Sequence, residues 1–432
     1  YPGGQYVVLY DGEGTIEYKF DATKDEAAST PGRDVINVTP SNGGIYLIIT
    51  STDPNQTGNY IRNIRVVEAK HENTYQSEIF NPDFIEKIRK FKVLRFMDWM
   101  KTNHSGQSEW VNRPKIEDAS YARKGAPVEI MVELANRLKV DPWFNLPHRA
   151  TDEYITKFAQ LVKDSLSPDL TIYVEYSNEV WNSQFKQFHW VRDNGEISGG
   201  KTPFQSYGVR TAQMCDIWKG VFGEESSRVK CVMGTQTANP SVAEQVLNCD
   251  KWKEAPCYKH GIDALAITGY FSGKLGHPKY ETTIESWLDD ENINEFERAL
   301  TQVKNGSVLD GDSDSVEDLG KTFNDYSNIA KEKGLQLMVY EGGSHVVGLG
   351  KVVNNKQLTE FFIELHRKPE FYNLYTEMLE SWKDPEGTRT LFMNFSDIRK
   401  PNKHGSWGVL EHVDQEGSPR YNALLDFIDK NP

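Results

Sequence analysis

The stretch Thr171-Ile172-Tyr173-Val174-Glu175-Tyr176-Ser177-Asn178-Glu179-Val180-Trp181-Asn182 is an apolar run that breaks off into polar groups. A short, almost continuous apolar run is what a strand buried on both faces of a parallel sheet requires, because helices cover the sheet on either side. Runs of the same character lie at residues 93–97, 142–146, 229–233, 264–268, 336–340 and 390–395. Apolar residues recur with the 3.6-residue period of a helix at 82–91, 128–138, 152–165, 205–222, 241–247, 283–304, 316–333, 355–367, 371–382 and 418–428. Strand and helix in alternation predict an α/β fold, a (β/α)8 TIM barrel, with seven of its eight strands accounted for. The remaining strand, first in order, is either residues 64–67 or lies upstream of Tyr1. In the second case the chain is a fragment of a longer polypeptide.

The first 67 residues follow another grammar. Short alternating runs at 5–10, 15–20, 34–38, 44–50 and 60–67 are separated by turn formers such as Asp11-Gly12, Pro31-Gly32 and Asp53-Pro54-Asn55. They predict a small N-terminal antiparallel β-sandwich-like unit over residues 1–67, followed by the barrel over 68–432. So small a unit buries little surface, so it is expected to lean on its neighbour or on strands supplied from upstream.

Composition narrows the partners. The chain has 432 residues, with 49 Lys and Arg against 63 Asp and Glu, a net charge of -14. That balance opposes broad binding to nucleic acid or to an anionic membrane and suits a neutral or cationic ligand. No run approaches the roughly 18 apolar residues of a membrane span. The 10 Trp, 20 Tyr and 20 Phe offer faces on which sugar rings stack, although most aromatics fill cores. Sequons at Asn37, Asn55, Asn103, Asn305 and Asn394 point to secretion, with N-glycans expected at the first four. Cys215, Cys231, Cys249 and Cys257 lack the spacing of a zinc site. Two local disulfides are expected over free buried thiols, and the short loop favours the pair Cys249–Cys257.

In a barrel of this kind the chemistry stands at the C-terminal ends of the strands. Those ends read Arg95-Phe96-Met97-Asp98-Trp99, Asn145-Leu146-Pro147-His148-Arg149, Ser177-Asn178-Glu179, Thr268-Gly269-Tyr270-Phe271 and Tyr340-Glu341-Gly342-Gly343. Glu179 and Glu341 end the fourth and seventh strands in barrel order, nearly opposite each other across the mouth. Two facing carboxyls, one ionised and one kept protonated, are what glycoside hydrolysis with retention needs. Asn178 is placed to hold a substrate hydroxyl, and Arg95 and Tyr270 to keep the other carboxylate ionised and aimed.

This arrangement resembles the clan A glycoside hydrolases, retaining β-glycosidases on (β/α)8 barrels that include the family 5 endoglucanases. The clan ends strand four in Asn-Glu, here Asn178-Glu179, and strand seven in the nucleophile, here Glu341. It commonly carries an Arg at strand two, a His at strand three and a Tyr or His at strand six, matched by Arg95, His148 and Tyr270. A Trp after strand eight often floors the sugar site, and Trp407 stands there. The resemblance covers about residues 80–430. It implies a secreted retaining glycosidase that acts on a β-glucan-like poly- or oligosaccharide, with Glu341 as nucleophile and Glu179 as acid/base, without metal or organic cofactor. Long loops at 100–126 and 183–204 point to an open groove and endo action. The chain departs from many members in continuing Val180-Trp181-Asn182 where they have Pro, which leaves the family within the clan unassigned.

Plainer readings stand beside these. Glu175, on the same face as Glu179, reads as a buried partner of Arg95, and His148 could be a core histidine. The run Asp310-Gly311-Asp312-Ser313-Asp314-Ser315 resembles a calcium loop. It has Ser315 where the loop's Gly belongs and Lys321 where its Glu belongs, so it reads as a solvated loop in which Ser315 or Asp314 caps the next helix. The competing function is a catalytically inactive carbohydrate-binding or structural extracellular glycoprotein on the same fold.

Overall fold

The computed structural model describes residues 1–41, 43–195, 202–311 and 313–431. The chain forms two compact units, Tyr1–Arg89 with Glu411–Glu416, and Lys90–Leu410 with Gly417–Pro432.

In the first unit, strands β1 (Gly4–Asp11), β3 (Ala22–Thr30), β4 (Arg33–Val38) and β6 (Arg62–Glu68) form an antiparallel sheet in the order β3-β4-β1-β6, while β2 (Gly14–Phe20) pairs with β5 (Ile45–Thr52). Tyr18, Ile45 and Leu47 of the two-stranded sheet pack on Tyr6, Val8, Ile36 and Val38 of the four-stranded one, the face-to-face burial of a sandwich. The edge strand β3 is missing from the sequence reading because Ala22–Thr30 is mostly polar and exposed, as edges commonly are. Residues 64–67, one candidate for the first barrel strand, lie in β6. They are held there by pairing with β1 in the register Val7↔Val67 and Val8↔Val66, which corrects that expectation. Arg33 grips Glu72 through Nε at 2.5 Å and Nη2 at 2.7 Å, and Lys70 reaches Asp83 at 2.8 Å. The unit therefore extends past the predicted boundary at residue 67.

The second unit is built on seven parallel strands, β7 (Val93–Arg95), β8 (Asp141–Leu146), β9 (Ile172–Tyr176), β10 (Val229–Gly234), β11 (Ile262–Phe271), β12 (Gln336–Ser344) and β13 (Arg389–Asn394). They are hydrogen-bonded in chain order, with helices between successive strands. The sheet curls on itself. Val93 of β7 belongs to the same apolar cluster as Trp143, Val232, Ala264, Ala266, Met338 and Tyr340, against which Leu391 and Met393 of β13 pack. These alternate positions fill the barrel interior. Among the described residues no eighth strand bridges β13 and β7.

Local signals set where helices begin. Ser315 accepts from Asp318 N in a capping box that opens the helix Val316–Glu332, as its sequence implies; residue 312 of the same loop lies outside the described residues. The expected helix 283–304 is two, Glu281–Asp289 and Glu295–Asn305, because Asn294 caps a fresh start by accepting from Glu297 N. Of the expected loop 183–204, residues Lys186–Asp193 are helical, and 196–201 lie outside the described residues. Cys249 and Cys257 form the expected disulfide. The second expected bridge is absent: Cys215, on the helix Pro203–Phe222, and Cys231, on β10, are buried free thiols. No described helix is long and apolar enough to cross a membrane.

Candidate active site

Two local departures from regular backbone bring the carboxyls together. At the end of β9, Ser177 and Glu179 take left-handed conformations with φ of 60° and 42°. Each costs a side-chain-bearing residue on the order of 1 kcal/mol, a cost found where surrounding structure over-determines the backbone. On β12 the register against β11 slips, so that Ile267 faces Val339 but the next residue, Thr268, faces Glu341. The bulge at Tyr340 turns two consecutive side chains, Tyr340 and Glu341, towards the interior, where strict alternation would admit one. Beyond it only glycine fits: a Cβ on Gly342 would lie 2.7 Å from the Phe392 ring and 2.8 Å from the Gly269 carbonyl oxygen.

Arg95 is the hub. Its side chain is 6% exposed. Nε and Nη2 donate to Glu175 Oε2 at 3.0 and 2.8 Å, Nη2 also donates to Asn178 Oδ1 at 2.8 Å, and Nη1 donates to Glu341 Oε2 at 3.2 Å. Glu175 accepts further bonds from Trp143 Nε1 at 3.0 Å and Asn145 Nδ2 at 2.8 Å. Glu175 is therefore the buried partner of Arg95. Glu341 is also hydrogen-bonded by Tyr270. The partners of Glu179 are uncharged: Asn182 Nδ2 donates to its Oε2 at 2.8 Å and Tyr340 OH to its Oε1 at 3.1 Å.

One guanidinium thus serves three buried carboxyls, and they cannot all be ionised cheaply. Burial, then the charge of Glu179, push Glu341 up to about 8 against the pull of Arg95, and burial pushes Glu179 up as well. The two titrate as a pair that shares a proton. Glu175 holds most of the donors and Glu341 has a cation and a phenol. Glu179, with neutral donors alone, is where the proton rests at lowest cost.

The remaining expected residues are placed unevenly. Tyr270 is half-buried, with ring centroids 5.5 Å from His345 and 5.8 Å from Trp407. Trp407, 5.2 Å from His345, completes an aromatic cluster beside Glu341. His148 is 2% exposed and lies edge-on to Trp190 at 5.9 Å, with Nδ1 buried and unpartnered. Burial foremost, then the charges of Arg149 and His104, push it down to about 4, so it is neutral. With Nδ1 unpartnered, His148 is not hydrogen-bonded through that nitrogen to either carboxyl among the described residues.

Four polar residues escape the sequence reading. Asn182 and Tyr340 hold Glu179. Gln187, fully buried, donates to the Asn178 carbonyl at 2.8 Å and to Asn103 Oδ1 at 2.7 Å and accepts from His104 N at 3.1 Å. Asn103 Oδ1 also accepts from Asn178 Nδ2 at 3.1 Å, while its own Nδ2 turns to Met97 Sδ at 3.8 Å. The Asn103 carboxamide, expected to bear a glycan, is half-buried and engaged in the site. Asn37, Asn55 and Asn305 are exposed. The carboxamide of Asn178 is oriented by this network: its oxygen faces Arg95, which leaves one amide hydrogen for a ligand acceptor.

No family model matches the chain, and no curated protein matches it. Solved structures do resemble it. A GH10 structure from Paenibacillus barcinonensis is 12% identical with a TM-score of 0.46, over 82% of this chain and 92% of that one. A GH5-4 broad-specificity endoglucanase from Clostridium acetobutylicum is 12% identical with a TM-score of 0.44, over 81% and 89%. Xylanase10C from Cellvibrio japonicus, solved with xylopentaose, is 8% identical with a TM-score of 0.46, over 100% and 90%. At these values the likenesses transfer no residue role, and the barrel stands on the chain's own strand order.

Proposed function

We propose that the chain is a secreted retaining β-glycosidase acting within a β-glucan-like poly- or oligosaccharide. The observation that carries this reading is the asymmetry of the carboxyl pair: Glu341 is bonded to the cation Arg95, while Glu179 has only neutral donors. Ionised Glu341 attacks the anomeric carbon as Glu179 passes its proton to the departing glycosidic oxygen, so one C–O bond forms while another breaks. Glu179, now a carboxylate, then takes a proton from water. The water oxygen attacks the anomeric carbon, and the bond to Glu341 breaks to release a sugar of unchanged anomeric configuration. Asn178 binds a sugar hydroxyl, and Tyr270 and Trp407 offer a ring platform.

The test is hydrolysis of aryl β-glycosides and a panel of β-glucans by wild type and Glu341→Gln. Loss of turnover by at least about a thousandfold in the variant is expected, by the scale of removing a nucleophile. Wild type that is inert on every substrate, or undiminished turnover in the variant, refutes the reading; inert wild type that still binds glucan would make this a carbohydrate-binding protein.

A further inference from the structure

We propose that Tyr340, the residue before the nucleophile, is a positioning residue for the acid/base: its hydroxyl aims the Glu179 carboxyl and stabilises the carboxylate formed when Glu179 gives up its proton. This rests on the glycosidase reading. Tyr340 OH donates to Glu179 Oε1 at 3.1 Å while Asn182 Nδ2 donates to Oε2 at 2.8 Å, so both oxygens are held and the plane of the carboxyl is fixed. A hydrogen bond to a charged oxygen is roughly twice as strong as one to a neutral oxygen, so this contact tightens as the proton leaves.

Tyr340 is suited to the task by its rigidity. It is 1% exposed, packs with Trp143 and Met338 in the barrel cluster, and lies under the Arg95 guanidinium at 5.1 Å. Tyr340 shares the interior face with Met338, and the β12 bulge turns Glu341 in beside it: without the slip between Val339 and Glu341, the two would point to opposite faces. Burial first, then the charges of Glu179 and Glu341, hold the phenol far above its ordinary value, so it remains a donor throughout. The other groups acting on Glu179 are Arg95, which lowers its pKa, Glu175, which raises it, and Glu341, with which it shares its proton.

The experiment compares wild type with Tyr340→Phe, which keeps the ring and removes the hydroxyl. Expected are a kcat lower by roughly five- to tenfold with KM within about twofold, and an alkaline limb of the pH–rate profile raised by roughly half to one pH unit, the scale of one lost hydrogen bond. Glutamate-δ-13C NMR of the free proteins should move the Glu179 midpoint by the same amount. Active wild type with superimposable profiles and midpoints in the variant overturns the proposal. A second measurement needs no Tyr340 variant: the Tyr340 13Cζ resonance of wild type should follow the Glu179 titration and lose that response in Glu179→Gln, and a flat resonance overturns the proposal equally. Wild type inert on all glycosides, with the Tyr340 response present, instead refutes the glycosidase reading on which the proposal depends.

Discussion

Replacing Arg95 by Met should produce a stability deficit that grows with pH. The guanidinium is the cation bonded to both Glu175 and Glu341, at 2.8 and 3.2 Å, and its side chain is 6% exposed. Removing one partner of a buried ion pair costs about 3–5 kcal/mol, because the charge left behind is neither hydrated nor paired. The direction with pH follows from linkage. Both Glu175 and Glu341 are already raised above their ordinary 4.5, and without Arg95 they rise further. Carboxyls that hold protons more tightly when folded lose stability as pH climbs from their unfolded value through the folded one. At pH 5 the variant relieves the charge of Glu175 by protonation, and holding that proton costs progressively more as pH climbs towards 8. Urea unfolding of wild type and Arg95→Met at both pH values measures the gap. A deficit of about 3–5 kcal/mol at pH 8 that shrinks by at least about 1 kcal/mol at pH 5 is expected. An equal deficit at both, or a larger one at pH 5, would show that Arg95 serves as packing and not as counterion.

Other consequences can be read from the same contacts. Burial holds the Glu179 carboxyl above the ordinary carboxylate range, so kcat/KM should hold through neutral pH and fall on the alkaline side as the pair loses its proton. It should fall again at acid pH, where the nucleophile is protonated too; a profile flat to pH 10 contradicts the shared proton. Gln187→Leu leaves the buried Asn178 carbonyl and His104 N–H without their partner and should cost about 2–5 kcal/mol in urea unfolding, whereas a change under about 0.5 kcal/mol would contradict the clamp. Thiol titration without reductant should find the two thiols Cys215 and Cys231 only after denaturation; none would mean that these two are bridged.

The barrel is legible in the sequence because its strands are buried on both faces and therefore read as unbroken apolar runs. The carboxyl pair is legible because polar groups gather where those runs end, as Asn178-Glu179 and Glu341 do. Tyr340 is not, since alternation places neighbours on opposite faces and only the bulge puts it beside Glu341. Asn103 and Gln187 escape for another reason. Their role comes from long-range bonds to Asn178 and to each other, and local sequence offers nothing more than a sequon and a glutamine in an expected loop. Residues 64–67 mislead because an apolar alternating strand fits the antiparallel sheet of the first unit as well as it fits a barrel edge.

The account turns on Glu341 forming a bond to the sugar. Incubating wild type with a 2-deoxy-2-fluoro-β-cellobioside bearing a dinitrophenolate leaving group should stall the reaction at that intermediate. Intact mass should rise by one glycosyl group, and peptide mapping should place it on Glu341. Release of dinitrophenolate by an unlabelled protein, or a label on any other residue, would contradict the mechanism.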